Sequence, residues 1–344
     1  MTMGFFDKLV GKASPKAGPV WTRELGDHPV GLAYALRGEA LVVATGAGSV
    51  LVLDAATGEP RKTIAVHEAG ALTMACDGAR AVTGGMDGAA CVVDVATGEV
   101  TRRLDADAEW VEQVAIASDR TIAIGAGKHV RWYGEGGALL AKLGPHPSTV
   151  GGLAFSPDAS LLAVARYGGL DLWKRDGTRD RELAWKTSIV SVAWQPKDRF
   201  IAAGCQDNAV HFWRLETGDD SMMGGYPAKP KAIAWSHDGT SLATGGGEEI
   251  VVWSFRGRGP EGTTPILLKA HTKLVTTLVT APSDHRLLSG GRDGLVCVWR
   301  PQRSETPIVQ HAMSAAVAHV AFRDDGAMAV AADEKGQLVL LRLP

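Results

Sequence analysis

The 344-residue sequence has no excess of charge of either sign: 36 Lys and Arg stand against 38 Asp and Glu, a formal net charge of −2. A near-neutral balance excludes the basic surface of a nucleic-acid-binding domain and the acidic block of a solvating tail. Cysteine is scarce. Cys76, Cys91, Cys205 and Cys297 form no C-x-x-C pair and have no His at metal-ligand spacing. Cys91 and Cys297 lie in apolar strand runs, where a reduced thiol serves as a small hydrophobe. No apolar run reaches the roughly 18 residues of a membrane span, so stable membrane insertion is not expected. The N-terminus has no apolar core followed by a small-residue cleavage site, which points to a cytoplasmic protein. No Gly-rich phosphate loop precedes a helix, and no cofactor or metal is expected.

Glycine is abundant, 42 residues, which suits many turns better than long helices, and the 45% hydrophobic content suits a buried core. The stretch Leu287 to Arg300, LLSGGRDGLVCVWR, shows how the glycine is used. An apolar strand meets the pair Asp293-Gly294, and a second strand leads away to Trp299. Gly tolerates positive φ, and the flanking alternation makes this a hairpin.

The pattern recurs. Trp132, Trp173, Trp213, Trp253 and Trp299 end equivalent strands, 41, 40, 40 and 46 residues apart. Leu53 and Val93 take the same place upstream, and Leu341 downstream. Turn signals repeat in phase: Ser156-Pro157-Asp158 and Asp324-Asp325-Gly326 in one turn, Ala56-Thr57-Gly58-Glu59 and Ala96-Thr97-Gly98-Glu99 in another. The long step contains Arg256 to Pro265, read as a flexible surface loop. A period near 40 residues with four strands per unit is that of a β-propeller blade. Eight third strands predict an all-β single propeller of eight blades, each of four antiparallel strands. The eighth unit lacks an outer strand, and Val20 to Leu25 is a strand without a unit. Pairing them (about residues 20–25 with the last strands) closes the ring and leaves no open edge. Seven blades is the alternative. Residues 1–19 stand apart as a tail: Met3, Phe5, Phe6, Leu9 and Val10 fall near helical spacing, as a short amphipathic helix would. Residues 20–344 form the propeller.

The segments GGRDGLVCVWR, from Gly290 to Arg300, and LATGGGEEIVVWS, from Leu242 to Ser254, resemble the WD-repeat family. The repeats are degenerate: the residue after each Trp is Tyr133, Lys174, Arg214, Ser254 or Arg300, never Asp. His271, Ser289, Asp293 and Trp299 invite comparison with a hydrolase triad. The resemblance implies instead a structural network, Trp N–H to Ser, Ser to His, His to Asp, with a partial copy at His67, Thr83 and Asp87. No His, Asp or Glu recurs at one inward phase of the first strands, as a metal or catalytic centre on the axis would need, so no enzyme is expected.

Of the ten tryptophans, Trp110 and Trp185 are the two that the repeat leaves unexplained. The resemblance implies a top face built from the turns between second and third strands and the connections between units. There Trp110, Arg166, Tyr167, Trp185 and Lys186 fall on adjacent blades, and Trp, Tyr and Arg are enriched in binding hot spots. The expected function is a non-catalytic scaffold for protein-protein interaction that holds a protein or peptide partner there. Arg166 and Lys186 favour an acidic one. The competing class is a small-ligand binder or enzyme using the central channel. Oligomeric state is not legible.

Overall fold

The hairpin at Asp293-Gly294 forms as its sequence dictates. Leu287–Gly291 pairs antiparallel with Leu295–Trp299, Leu287 opposite Trp299. Gly294 turns the chain at a φ of 78°, and Asp293 Oδ1 accepts the Leu295 amide at 3.0 Å. The structure is a computed structural model and describes residues 17–107, 110–197, 199–257 and 259–344. Over these residues the same unit repeats, with one 3-10 turn, Leu36–Gly38, as the only helical element.

The innermost strands are Pro29–Ala35, Ala71–Cys76, Gln113–Ile116, Gly152–Phe155, the C-terminal half of Arg179–Trp194, Ala232–Trp235, Val275–Thr280 and Val317–Phe322. Each touches the next in chain order, and the last touches the first, so they ring a central axis. Closure follows the expected route. Gly18–Glu24 pairs antiparallel with Gln337–Arg342, the outer edge of the final sheet. Trp21 then packs with Leu41, Leu53, Val330 and Leu340, and its indole N–H donates to the Ala55 carbonyl at 3.2 Å. The first and last units thus share one apolar layer. Gly18 and Pro19, placed in the tail by sequence, open this strand; the rest of the expected amphipathic segment, through residue 16, lies outside the described residues.

The count of eight separate blades is corrected. The strands form seven hydrogen-bonded sheets, six of four strands and one of six, so the alternative count of seven describes them. The wide sheet carries the fourth and fifth repeat units together. Its order is Gly152–Phe155, Leu161–Lys174, Arg179–Trp194, Phe200–Cys205, Val210–Arg214 and Asp220–Met223. Leu161–Lys174 runs on through its turn, where Gly168 and Gly169 have φ of 91° and 127°. Arg179–Trp194 serves one unit with its first half and the next with its second. The connection Ala184-Trp185-Lys186-Thr187-Ser188 stays extended, and Gly169 pairs with Ala184 and Tyr167 with Ser188 across it, so one ladder runs from the fourth unit into the fifth.

Apolar layers fill the space between neighbouring sheets. Trp132, Val130 and Leu143 of the third unit pack with Val150, Leu162 and Val164 of the fourth, and Trp132 is fully buried. Inner-strand tryptophans tie adjacent units: Trp194 donates to Ala154 at 2.8 Å and Trp235 to Ala193 at 3.1 Å. Second strands end in small residues because the next unit's backbone presses on them. A Cβ at Gly204 would stand 1.9 Å from the Pro230 carbonyl oxygen. The Arg256–Pro265 loop is anchored in its described part, where Glu261 accepts from Ser221 Oγ at 2.7 Å and from Arg214.

Candidate interaction face

The seventh unit brings His271, Ser289, Asp293 and Trp299 together between its strands. Trp299 Nε1 donates to Ser289 Oγ at 2.9 Å, and Ser289 Oγ lies 2.8 Å from His271 Nε2. His271 Nδ1 lies 3.1 Å from Asp293. Polarity is forced along this chain. An indole only donates and a carboxylate only accepts, so Ser289 gives its proton to Nε2 and the imidazole carries its own on Nδ1. Burial by itself would raise the Asp293 carboxyl, but amide hydrogen bonds from Thr272 and Leu295 and the His271 contact hold it below the usual range. Ser289 has no exposed surface and both of its hydrogen-bonding directions are used. It cannot meet a substrate as a triad serine must.

Other units vary the same site. In the second, His67 Nδ1 lies 2.9 Å from Asp87 and Nε2 lies 2.9 Å from Thr83 Oγ1. In the sixth, Tyr226 stands where the histidine stood; its hydroxyl accepts from Trp253 Nε1 at 2.9 Å and lies 2.7 Å from Thr244 Oγ1. In the fifth, Trp185 takes that place. Its ring stacks on His211 with centroids 3.9 Å apart, and His211 meets Trp213 edge-on at 4.4 Å. The repeat therefore does account for Trp185. The 39- to 41-residue spacing from His146 to Trp185 to Tyr226 was the signal that could have revealed it.

Arg166 also differs from expectation. It is buried rather than presented: its guanidinium grips Asp171 at 2.8 and 2.9 Å and reaches Glu182 at 2.6 Å. His146 Nδ1 joins the same carboxylate at 3.1 Å. The hydrogen bonds of the buried pair raise the Arg166 guanidinium above its usual value. Burial by itself would raise Asp171, but Arg166 and His146 hold its carboxyl well below the usual range. With Tyr167 in the turn where Asp293 stands in the seventh unit, Asp171 on the third strand supplies the acid instead. Arg166 satisfies it and offers no charge to a partner.

Three predicted residues remain at the surface. Trp110 is 51% exposed and Tyr167 56%. Lys186 is exposed, with its ammonium 5.4 Å above the Trp185 ring. In a four-strand meander, the turn between second and third strands and the connection to the next unit lie at the same end, so all three share one face. Tyr167 and Lys186 are close neighbours: Tyr167 pairs with Ser188 across the wide sheet, and its amide donates to Ser148 Oγ at 2.8 Å. Trp110 lies in the connection into the third unit, one unit away.

The same face carries a groove that sequence reading missed. About 760 Å³ in volume, it is lined by Tyr226, Pro227, Trp253, Leu267 and Leu274, with Glu248 and Glu249 at its rim. A neighbouring hollow of about 440 Å³ shares Pro227 and Leu274 and adds Lys229, Lys231 and Arg292. Trp253 and Leu267 lie on strands and the others in turns and connections, so only the ring arrangement brings them together.

Comparisons with known proteins agree with this architecture. Residues 180–214 and 262–300 match the family model described as WD domain, G-beta repeat. Cell division cycle 20.1, cofactor of APC complex, from Arabidopsis thaliana is 28% identical over 41% of this chain and 31% of its own length. The B-type cell cycle switch protein ccs52B of Medicago truncatula is 25% identical over 55% of this chain and 40% of its own. Actin-interacting protein 1 of Caenorhabditis elegans is 27% identical over 52% and 29%. The chain thus spans about a third of the length of these curated relatives. The crystal structure of the computationally designed Ika8 protein superposes with a TM-score of 0.82 at 19% identity, covering 95% of this chain and all of that one, which shows the fold. With its phased four-strand units, its His–Asp networks and these matches, the chain carries WD repeats and is similar to the WD-repeat family of β-propellers.

Proposed function

We propose that the chain is a non-catalytic interaction platform that holds a protein or peptide partner on the face carrying Trp110, Tyr167 and Lys186. The observation that carries this reading is the exposure of two large aromatic side chains on one face of a fully ringed scaffold. Large aromatics fixed on rigid backbone bury much area at little ordering cost. The Pro227–Leu274 groove extends the same face. Relatives named as a cofactor of a complex and as an actin-interacting protein support a partner that is itself a protein. Lys186, Lys229, Lys231 and Arg292 supply the positive charge for an acidic partner segment, in place of the buried Arg166.

The test is affinity capture from a native lysate with the wild type beside the triple variant Trp110→Ala, Tyr167→Ala, Lys186→Glu. Circular dichroism checks that both are folded. Capture by the wild type and loss in the variant is expected. Equal capture by both removes this face from consideration.

A further inference from the structure

At the opposite end of the propeller, two turns place three metal-binding side chains together. His237 and Asp238 lie in the turn between the first and second strands of the sixth unit, and His285 in the same turn of the seventh. One donor atom from each lies within 4.8 Å of the other two. His285 Nε2 is 3.8 Å from Asp238 Oδ2, and the two imidazole centroids are 5.1 Å apart. We infer that His237, Asp238 and His285 form a site for a divalent zinc-class ion that joins the sixth and seventh units.

The hydrogen bonds favour ligation. His237 Nδ1 lies 2.9 Å from the Asp284 carbonyl oxygen. A carbonyl cannot donate, so Nδ1 carries the proton and Nε2 keeps a free lone pair. Protein metal sites orient ligating histidines in this way. Asp238 is fixed by Ser236 Oγ at 2.8 Å and the Thr240 amide at 3.1 Å, both on Oδ1. Its Oδ2 accepts from Thr240 Oγ1 at 2.9 Å and also faces His285. The Nδ1 of His285 is buried without a hydrogen-bond partner, and its Nε2 is the ring nitrogen that faces Asp238. The neighbouring carboxylate of Asp284 is held by Arg286 Nε at 2.8 Å.

Two imidazoles and a carboxylate are the donors that Zn²⁺ accepts, at bonds of about 2.0–2.2 Å. Ligand atoms of such a tetrahedron stand about 3.4 Å apart, so the exposed His237 ring has to move in by roughly an ångström. Three protein ligands leave one position open. A hollow of about 310 Å³ lined by Asp284, His285, Arg286, Arg300, Gln302 and Arg303 adjoins the cluster at His285. The arginines suit water or an anionic group as the fourth ligand.

The test titrates the full-length protein with Co²⁺, read by its visible d–d absorption, and with Zn²⁺ in competition with a chromophoric chelator. His237→Ala and His285→Ala are compared with the wild type and with His129→Ala, which alters an exposed histidine elsewhere. Circular dichroism checks folding. The wild type and His129→Ala are expected to bind about one equivalent with a dissociation constant of about 10 µM or tighter, and each site variant to bind at least about tenfold more weakly. Zn²⁺ should raise the melting temperature of the first pair only. The inference fails if the wild type shows no saturable binding below about 100 µM, or if His237→Ala and His285→Ala bind as it does.

Discussion

Replacing Ser289 with alanine should destabilise the propeller far more than the loss of one hydroxyl suggests. Ser289 is fully buried and joins two groups that have no other partner, the Trp299 indole N–H at 2.9 Å and His271 Nε2 at 2.8 Å. Each buried group left unpaired costs about 1–3 kcal/mol. The rest of the network survives, because Asp293 is also held by the Thr272 and Leu295 amides at 2.7 and 3.0 Å. The expected loss is therefore about 2–4 kcal/mol. With a urea m-value of about 3 kcal/mol/M, the unfolding midpoint falls by about 1 M. Ser289→Thr is the control. Thr83 already makes the equivalent contact to His67 at 2.9 Å, so a threonine hydroxyl fits the pattern, and this change should cost about 1 kcal/mol or less. The reasoning is refuted if Ser289→Ala costs under about 0.5 kcal/mol, or if threonine is no better than alanine.

Three further outcomes follow from the same geometry. Arg166→Met leaves the Asp171 carboxylate buried with only His146 and a partly exposed Arg179 beside it, and should cost about 3–5 kcal/mol in urea unfolding, with Arg166→Lys a poor substitute for the two-pronged grip. Burial lowers both His67 and His319 below the ordinary imidazole value, so the folded chain resists protonation that the unfolded chain accepts near pH 6.5. Their stabilising contribution is whole above that pH and is lost as pH falls through it toward the lower folded values. The midpoint should drop between about pH 7.5 and about pH 5.5, and less steeply in His319→Leu; equal slopes would contradict it. Burial pushes the thiols of Cys76 up to about 11 and of Cys205 and Cys297 to about 12. At about pH 8 none should react with a thiol reagent until denaturant is added, and rapid labelling of the native protein would count against their burial.

The repeat is legible in the sequence because each unit needs the same things: Gly at positive φ in its turns, a large apolar side chain ending its third strand, and small residues where the next unit presses close. Gly294, Trp299 and Gly204 show all three. The fusion of two units is a local matter of hydrogen bonding. It rests on residues 184–188 staying extended, with Tyr167 paired to Ser188, and the repeat period carries no mark of that. The site was half legible. Trp110, Tyr167 and Lys186 are exposed as turn and connection residues should be. Arg166 and Trp185 are in the same connections but turn inward, because Asp171 needs a cation and His211 offers a stacking surface. Residue type alone could not separate these two groups. The metal-ligand cluster joins His237 to His285 across two units, a separation at which only the ring geometry brings them together.

Hydrogen exchange of the complex with a captured partner is the most direct check on the platform. Slowed exchange is expected in the segments around Trp110, Tyr167 and Lys186, extending toward Pro227 and Leu274, with the turns at Ser236–Gly239 and Ser283–Arg286 unchanged. Protection confined to those opposite turns, or to the outer sheet edges, would contradict a partner held on the aromatic face.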